Sequence, residues 1–393
     1  MTRVASALLL CLVFAGCAST RLPPVTTGDF VFEDDEKRLW LRSEEEQKVL
    51  NNSGYVCEDH ELEVYLNEIA KRLEPPEVFE HIPFKIKVIE NPYLNAFAFP
   101  NGIVYVHTGI LARMENEAQL ATLLAHEMTH ATHRHVVKQF RNIKNMTAFL
   151  ATVQVTVGSL GGVYGDLGAL LGTIGTLTAV TGYSREHETE ADMEGLKRMI
   201  EAGYDPTEAP KLFIHLKKDL EEEKRKEPFF FGTHPRLEER IKNYETFLET
   251  KHQAQRDGIK NSEIFLGKID KLILDNACLD LNLGRFKIAE RGVGKYLTIG
   301  GNDPKAYCLL GEICRERGGE GDKEKAKEHY QRAISLDPLY PEAHKGIGLI
   351  YYKQGEKALA KRSLETYLSL SPQASDRAYI EEYIRHCCEG ERR

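Results

Sequence analysis

A chain of 393 residues is long enough for two or three domains, and 42% hydrophobic with 28% charged residues is the composition of a folded protein, not a disordered one. Against 52 basic residues stand 60 acidic ones, a formal net charge of −8. That balance, with no basic patch interleaved with aromatics, argues against a nucleic-acid partner.

The first residues read as a targeting segment. Arg3 gives a positive start, and Ala5 to Ala15 is apolar and ends in small residues. Val13-Phe14-Ala15-Gly16-Cys17 resembles a bacterial lipobox, with Phe14 where Leu is usual. The resemblance implies removal of residues 1–16 and a firm lipid anchor on Cys17, and Ala18 after it implies the outer membrane. Export permits disulfides among Cys57, Cys278, Cys308, Cys314, Cys387 and Cys388, but their spacing fixes no pairing. Residues 17–35, Pro- and Thr-rich from Ser19 to Phe32, read as a tether.

Glu33 to Lys48 is charged and helical, with Leu39, Trp40 and Leu41 expected to dock. Leu62, Tyr65, Leu66, Ile69 and Leu73 form a helical stripe that ends at Pro75-Pro76. Phe84 to Ile89 alternates as a strand with one buried face. Asn95 to Phe99 alternates too, Pro100-Asn101-Gly102 turns, and Ile103 to His107 is a third strand. Such a hairpin can offer an edge on which an extended substrate pairs.

Thr108-Gly109 and the run Glu115 to Gln119 announce the next helix, which carries His126-Glu127-Met128-Thr129-His130. Residues four apart share a helix face, so His126 and His130 can present two imidazoles to one Zn2+. Glu127 lies between them, close enough to handle the proton of a metal-bound water. Leu120, Leu123, Leu124, Ala125 and Met128 give the helix a face that packs. Ala148 to Gly182 is apolar and glycine-rich, with Asp166 its only charge. Two short helices packed over the site fit it better than a membrane span. In Ser184 to Asp192, three carboxylates, Glu186, Glu188 and Glu190, are candidates for the third ligand that zinc needs beside a vacant position. If Glu188 binds, Asp192 shares its face and can fix the tautomer of a neighbouring imidazole, while Glu186 and Glu190 pair on the far side.

His126 to His130, followed by Glu188-Thr189-Glu190-Ala191-Asp192, resembles the HExxH…ExxAD signature of the zinc endopeptidases that include the type 1 CAAX prenyl proteases, HtpX and BepA. Asn95 to Gly102 and Tyr183 to Glu188 are similar to that family's segments before the metal helix and before the third ligand. The resemblance runs from about Glu44 to Leu248. It implies an α+β, mostly helical, gluzincin-like domain holding one Zn2+ per chain. It implies His126, His130 and Glu188 as ligands and Glu127 as catalytic base; Asp192, by its place on the helix, is counted with Glu127 among the catalytic residues. It also implies that His234, in Thr233-His234-Pro235, is a fourth ligand or a switch that holds the enzyme inactive. Arg240, just beyond, can stabilise transition-state charge.

Asp303-Pro304, Asp337-Pro338 and Ser371-Pro372 place a proline every 34 residues, the period of tetratricopeptide helix pairs. Ala326, Tyr330, Ala333, Ala343, Gly346 and Ala360 take supporting positions, and a degenerate unit runs from Asn276 to Leu297. Stacked, such units form an α-solenoid with a concave face for peptides or partner proteins. Polar Lys251 to Asn261 separates the two regions. The chain is thus expected to comprise a signal peptide (1–16), a tether (17–35), a peptidase domain (36–250) and a repeat domain (262–393). The expected function is a lipid-anchored periplasmic zinc endopeptidase that hydrolyses misfolded or misassembled envelope proteins, with outer-membrane assembly components as partners. This substrate class comes from the resemblance. The alternative is a latent protease acting mainly as a chaperone or assembly factor through its repeats.

Overall fold

The computed structural model describes residues 22–25, 30–142, 170–180, 182–223, 237–250 and 257–389. Cys17, His234 and most of the glycine-rich stretch 148–182 lie outside them.

The chain enters through α1 (Asp34–Asn51), α2 (His60–Leu73) and the short α3 (Pro76–His81). The Asp59 carboxylate accepts from Leu62 N and starts α2, and the rigid Pro75-Pro76 pair follows its end. Leu62, Leu66, Ile69 and Leu73 of its stripe are buried. In α1, Leu39 is buried but Leu41 is 61% exposed. Residues two apart on a helix point about 200° apart, so of the three residues expected to dock Leu39 is buried, Trp40 packs in part against the core and Leu41 faces outward.

Three strands follow: β1 (Lys85–Ile89), β2 (Ala96–Ala98) and β3 (Ile103–His107), in the order β1-β3-β2. β1 runs parallel to β3, with Ile86 opposite Val104, and β2 pairs antiparallel, with Phe97 opposite Tyr105. Helices α4 (Thr108–Arg113), α5 (Glu117–Thr132), α6 (His135–Asn142), α7 (Gly172–Val180), α8 (Arg185–Glu201), α9 (Glu208–Glu223) and α10 (Leu237–Thr250) complete this region.

Strand alternation sorts the side chains into two cores. Ile86, Val88, Val104 and Val106 join Leu66, Leu120, Leu124 and Met128 in the main one. Phe97, Phe99 and Tyr105 project the other way, into a cluster closed by Leu39 and Leu50 of α1 and by Leu171 and Ile174 around α7. The sheet is therefore covered on both sides, not on the single side that its alternation suggests. Aromatic side chains on the second face create a core of their own. β2 is an edge strand, yet Ala96, Phe97 and Ala98 are all buried. The Asn95 side-chain amide donates to the Ala179 carbonyl of α7 at 3.5 Å, so α7 flanks this edge.

The C-terminal third is a stack of antiparallel helix pairs: α11 (Ser262–Asn282) with α12 (Phe286–Ile299), α13 (Pro304–Arg317) with α14 (Asp322–Leu336), and α15 (Pro341–Gln354) with α16 (Lys357–Leu370), closed by α17 (Arg377–Glu389). Pro304 and Pro341 open first helices, where a missing N–H costs nothing. Tyr330 of α14 wedges between pairs. A Cβ at Gly346 would stand 2.3 Å from its ring, so that position admits no side chain. The described region contains no helix long and apolar enough to cross a membrane, and Cys57, Cys278, Cys308, Cys314 and Cys388 are free thiols there.

Candidate metal centre

The central helix is α5, buried along its whole length. Asn116 caps it by accepting from Gln119 N at 3.0 Å. Glu117 in the first turn, where a helix favours negative charge, accepts from Tyr65 Oη (2.6 Å), Tyr204 Oη (2.7 Å), Arg72 Nη1 (3.0 Å) and Asn261 Nδ2 (3.1 Å). These bonds fix the axial position of the helix. α8, capped by Ser184, crosses it at Gly195, where a Cβ would lie 3.0 Å from the backbone nitrogen of His126. That close approach brings the first turns of α8 onto the histidines.

The structure gathers His126, His130 and Glu188 into one buried cluster. His126 Nε2 and His130 Nε2 are 3.1 Å apart. Glu188 Oε2 lies 3.6 Å from the first and Oε1 3.5 Å from the second. A tetrahedral zinc with donor bonds of about 2.0–2.2 Å separates its donors by about 3.3–3.6 Å. The three side chains therefore fit a zinc ion in spacing and in chemistry, two imidazoles and one carboxylate. Glu127 is fully buried on the same helix.

Asp192, one turn beyond Glu188, is wholly buried. Its Oδ1 lies 3.0 Å from His126 Nδ1 and accepts from Arg240 Nη2 at 2.5 Å and Tyr244 Oη at 2.8 Å. Burial pulls the Asp192 carboxyl upward, but Arg240 and His126 outweigh that and hold it at about 2. Arg240 lies over the Phe213 ring, 4.2 Å from its centre. Its Nη1 is 3.8 Å from Glu188 Oε2 and has no hydrogen-bond partner among the described residues. A cavity of about 230 Å³ opens here, lined by Tyr183, Arg185, Glu188, Asp192, Arg240 and Asn243.

Three side chains join the cluster without having been singled out from the sequence. Tyr183 stacks on the His130 ring at 3.8 Å, and burial together with Glu127 and Glu188 drives its phenol well above the ordinary value. His135 Nδ1 lies 2.9 Å from His130 Nδ1. His187 stacks on His135 at 4.2 Å. Glu190 does not pair with Glu186; it accepts from His135 Nε2 at 3.0 Å. Two carboxylates on one helix face repel, and a neighbouring imidazole offers Glu190 a donor. That bond holds Glu190 at about 2, while burial holds His135 at about 4. The only signal in the sequence was a further histidine five residues past His130.

Residues 58–247 match the sequence model described as peptidase family M48. This match spans His126, His130 and Glu188, whose donor atoms the fold brings within 4.8 Å of one another. Residues 58–247 are an M48 peptidase domain. Behind it, residues 320–355 and 342–373 match a TPR repeat and a tetratricopeptide repeat. The chain is similar to a putative beta-barrel assembly-enhancing protease of Vibrio cholerae, 29% identical over 49% of this chain and 40% of that protein. It is 30% identical, over 49% and 40%, to the beta-barrel assembly-enhancing protease of Escherichia coli. It is 32% identical, over 48% and 54%, to the mitochondrial metalloendopeptidase OMA1 of Schizosaccharomyces pombe. The chain thus spans about 40 to 54% of these relatives' lengths.

Proposed function

We propose that this chain is a zinc-dependent endopeptidase of the cell envelope that cleaves misfolded or misassembled proteins. One observation carries the reading: His126 Nε2, His130 Nε2 and Glu188 converge at tetrahedral spacing beside the buried carboxylate of Glu127. In this reading the three hold one Zn2+, which when bound supplies a Lewis acid for the scissile carbonyl and for water. Glu127 accepts the proton of the attacking water and delivers it to the leaving nitrogen. Asp192 accepts from His126 Nδ1–H and so keeps the Nε2 lone pair aimed inward. Arg240 Nη1 donates to the carbonyl oxygen as its charge grows. Relatives named as assembly-enhancing proteases and the lipobox-like start support the envelope setting, with Cys17 as anchor on the periplasmic face of the outer membrane. The repeats would then present outer-membrane protein substrates or assembly components. The resemblance further assigns His234 a capping role over the metal.

The test is casein cleavage and zinc content of the mature protein. We expect one zinc per chain. Glu127→Gln should keep the zinc and lose activity by about 10²–10⁴-fold. His234→Ala should cleave faster. Undiminished cleavage by Glu127→Gln would sink the mechanism. Zinc-loaded protein inert in every form would favour a chaperone acting through the repeats.

A further inference from the structure

His135 is a third histidine against the pocket, and both of its ring nitrogens are engaged. Nδ1 faces His130 Nδ1 at 2.9 Å and Nε2 faces Glu190 Oε2 at 3.0 Å. Two imidazole nitrogens at hydrogen-bond distance share one proton, so one donates and the other accepts. If His130 offers Nε2 to a metal, its proton sits on Nδ1 and is donated to His135 Nδ1. The proton of His135 then sits on Nε2 and is donated to Glu190. A single tautomer of each ring satisfies the whole chain, and its far end is a carboxylate. With both nitrogens occupied, His135 is not itself a metal donor.

The backbone is bent to make this contact. α5 ends at Thr132, and Arg134 takes a left-handed φ of +58°, uncommon for a side chain with a Cβ. That turn swings the chain so that the first residue of α6 folds back onto the helix it has just left. Arg134 is held there by Glu36, with Nε donating to Oε1 at 2.8 Å and Nη2 to Oε2, and by the Phe30 ring 5.1 Å away. Residues held in strained backbone regions cluster at functional sites.

We propose that His135 and Glu190 are positioning residues for His130, doing for the second ligand what Asp192 does for the first. The inference rests on the metal reading above. It is tested on the full-length protein by the zinc dissociation constant, measured by competition with a chromophoric chelator. Thermal unfolding of the metal-free forms is recorded alongside. His135→Ala and Glu190→Ala should each weaken zinc binding by about 10–100-fold. His135→Asn, whose amide oxygen can accept from His130 Nδ1–H, should recover most of that loss. Glu190 is half-exposed and can be removed without opening the core, so metal-free Glu190→Ala should stay folded and melt only slightly below wild type, for the one bond lost to His135, while its zinc affinity falls by the larger factor; that separates positioning from folding. Wild-type affinity in both His135→Ala and Glu190→Ala would overturn the relay alone. Absence of zinc from wild type and variants alike would overturn the metal reading, and the relay with it.

Discussion

Asp192 and Arg240 form a buried ion pair, at 0% and 3% exposure. Arg240 donates to both carboxylate oxygens, Nε at 3.1 Å to each, and Tyr244 completes the shell of Oδ1. Breaking such a pair leaves a buried charge uncompensated, which typically costs about 3–5 kcal/mol. Asp192→Asn keeps the shape and removes the charge. It should therefore lower the stability of the metal-free protein by about that amount, read from urea unfolding. By loosening the His126 tautomer it should also weaken zinc binding about 10–100-fold. Asp192→Asn with lowered stability but unaltered zinc affinity would assign Asp192 to folding and remove it from the metal pocket.

At the scale of elements, helix ends carry much of the architecture. Glu74 follows α2 and is 4% exposed, with Arg198 Nε 3.4 Å from its Oε2. Burial raises its carboxyl from 4.5 to about 7, and Arg198 offsets this only in part. Between those two values the folded protein holds a proton that the unfolded chain has released. Its contribution is thus fully present below about pH 4.5 and is lost as pH rises through about 7. Glu74→Gln should flatten that dependence and be the more stable form at pH 8 by up to about 3 kcal/mol. Urea midpoints of both proteins at pH 5 and pH 8 decide the matter, and a parallel decline in the two would refute it. Elements of this kind are legible in sequence where their cause is local. The stripe of α2, the hairpin turn at Pro100-Asn101-Gly102 and the proline period of the repeats each reflect neighbours in the chain. Even the approach of His126 to His130 is one helical turn. The joining of Glu188 to them came by resemblance, since three glutamates were open to geometry. What local pattern does not carry is the left-handed turn at Arg134, a position where glycine would have given warning. His135 against His130, and the second cover of the sheet by α7, depend on contacts between segments far apart in sequence.

The whole molecule is tied together where the first repeat pair meets the peptidase domain. Asn276 of α11 accepts from Thr108 Oγ1 at 2.9 Å, and Asp280 accepts from Arg113 Nη2 at 3.2 Å. Lys295 of α12 donates to the carbonyls of Ala112 and Met114 at the end of α4, at 2.8 and 2.5 Å. The polar segment before α11 is part of the same fastening: Ile259 N donates to Gly203 O, and Asp205 N to Ile259 O. Thr108 directly follows β3, so the repeats grip the element that leads into α5. Buried polar bonds of this kind are costly to leave unmade, about 1–3 kcal/mol for each group. Lys295→Met fills the space and removes both bonds, so it should destabilise the protein by about 2–4 kcal/mol. The readout can tell which part feels the loss, because the single tryptophan of the chain, Trp40, lies in α1 and packs on Phe32, far from the repeats in sequence. If the two regions unfold as one, the Trp40 fluorescence transition and the helix signal in circular dichroism shift together to lower urea. A shift in the helix signal with the Trp40 transition unmoved would show that the repeats open by themselves, and the coupling argued from Lys295 would be wrong.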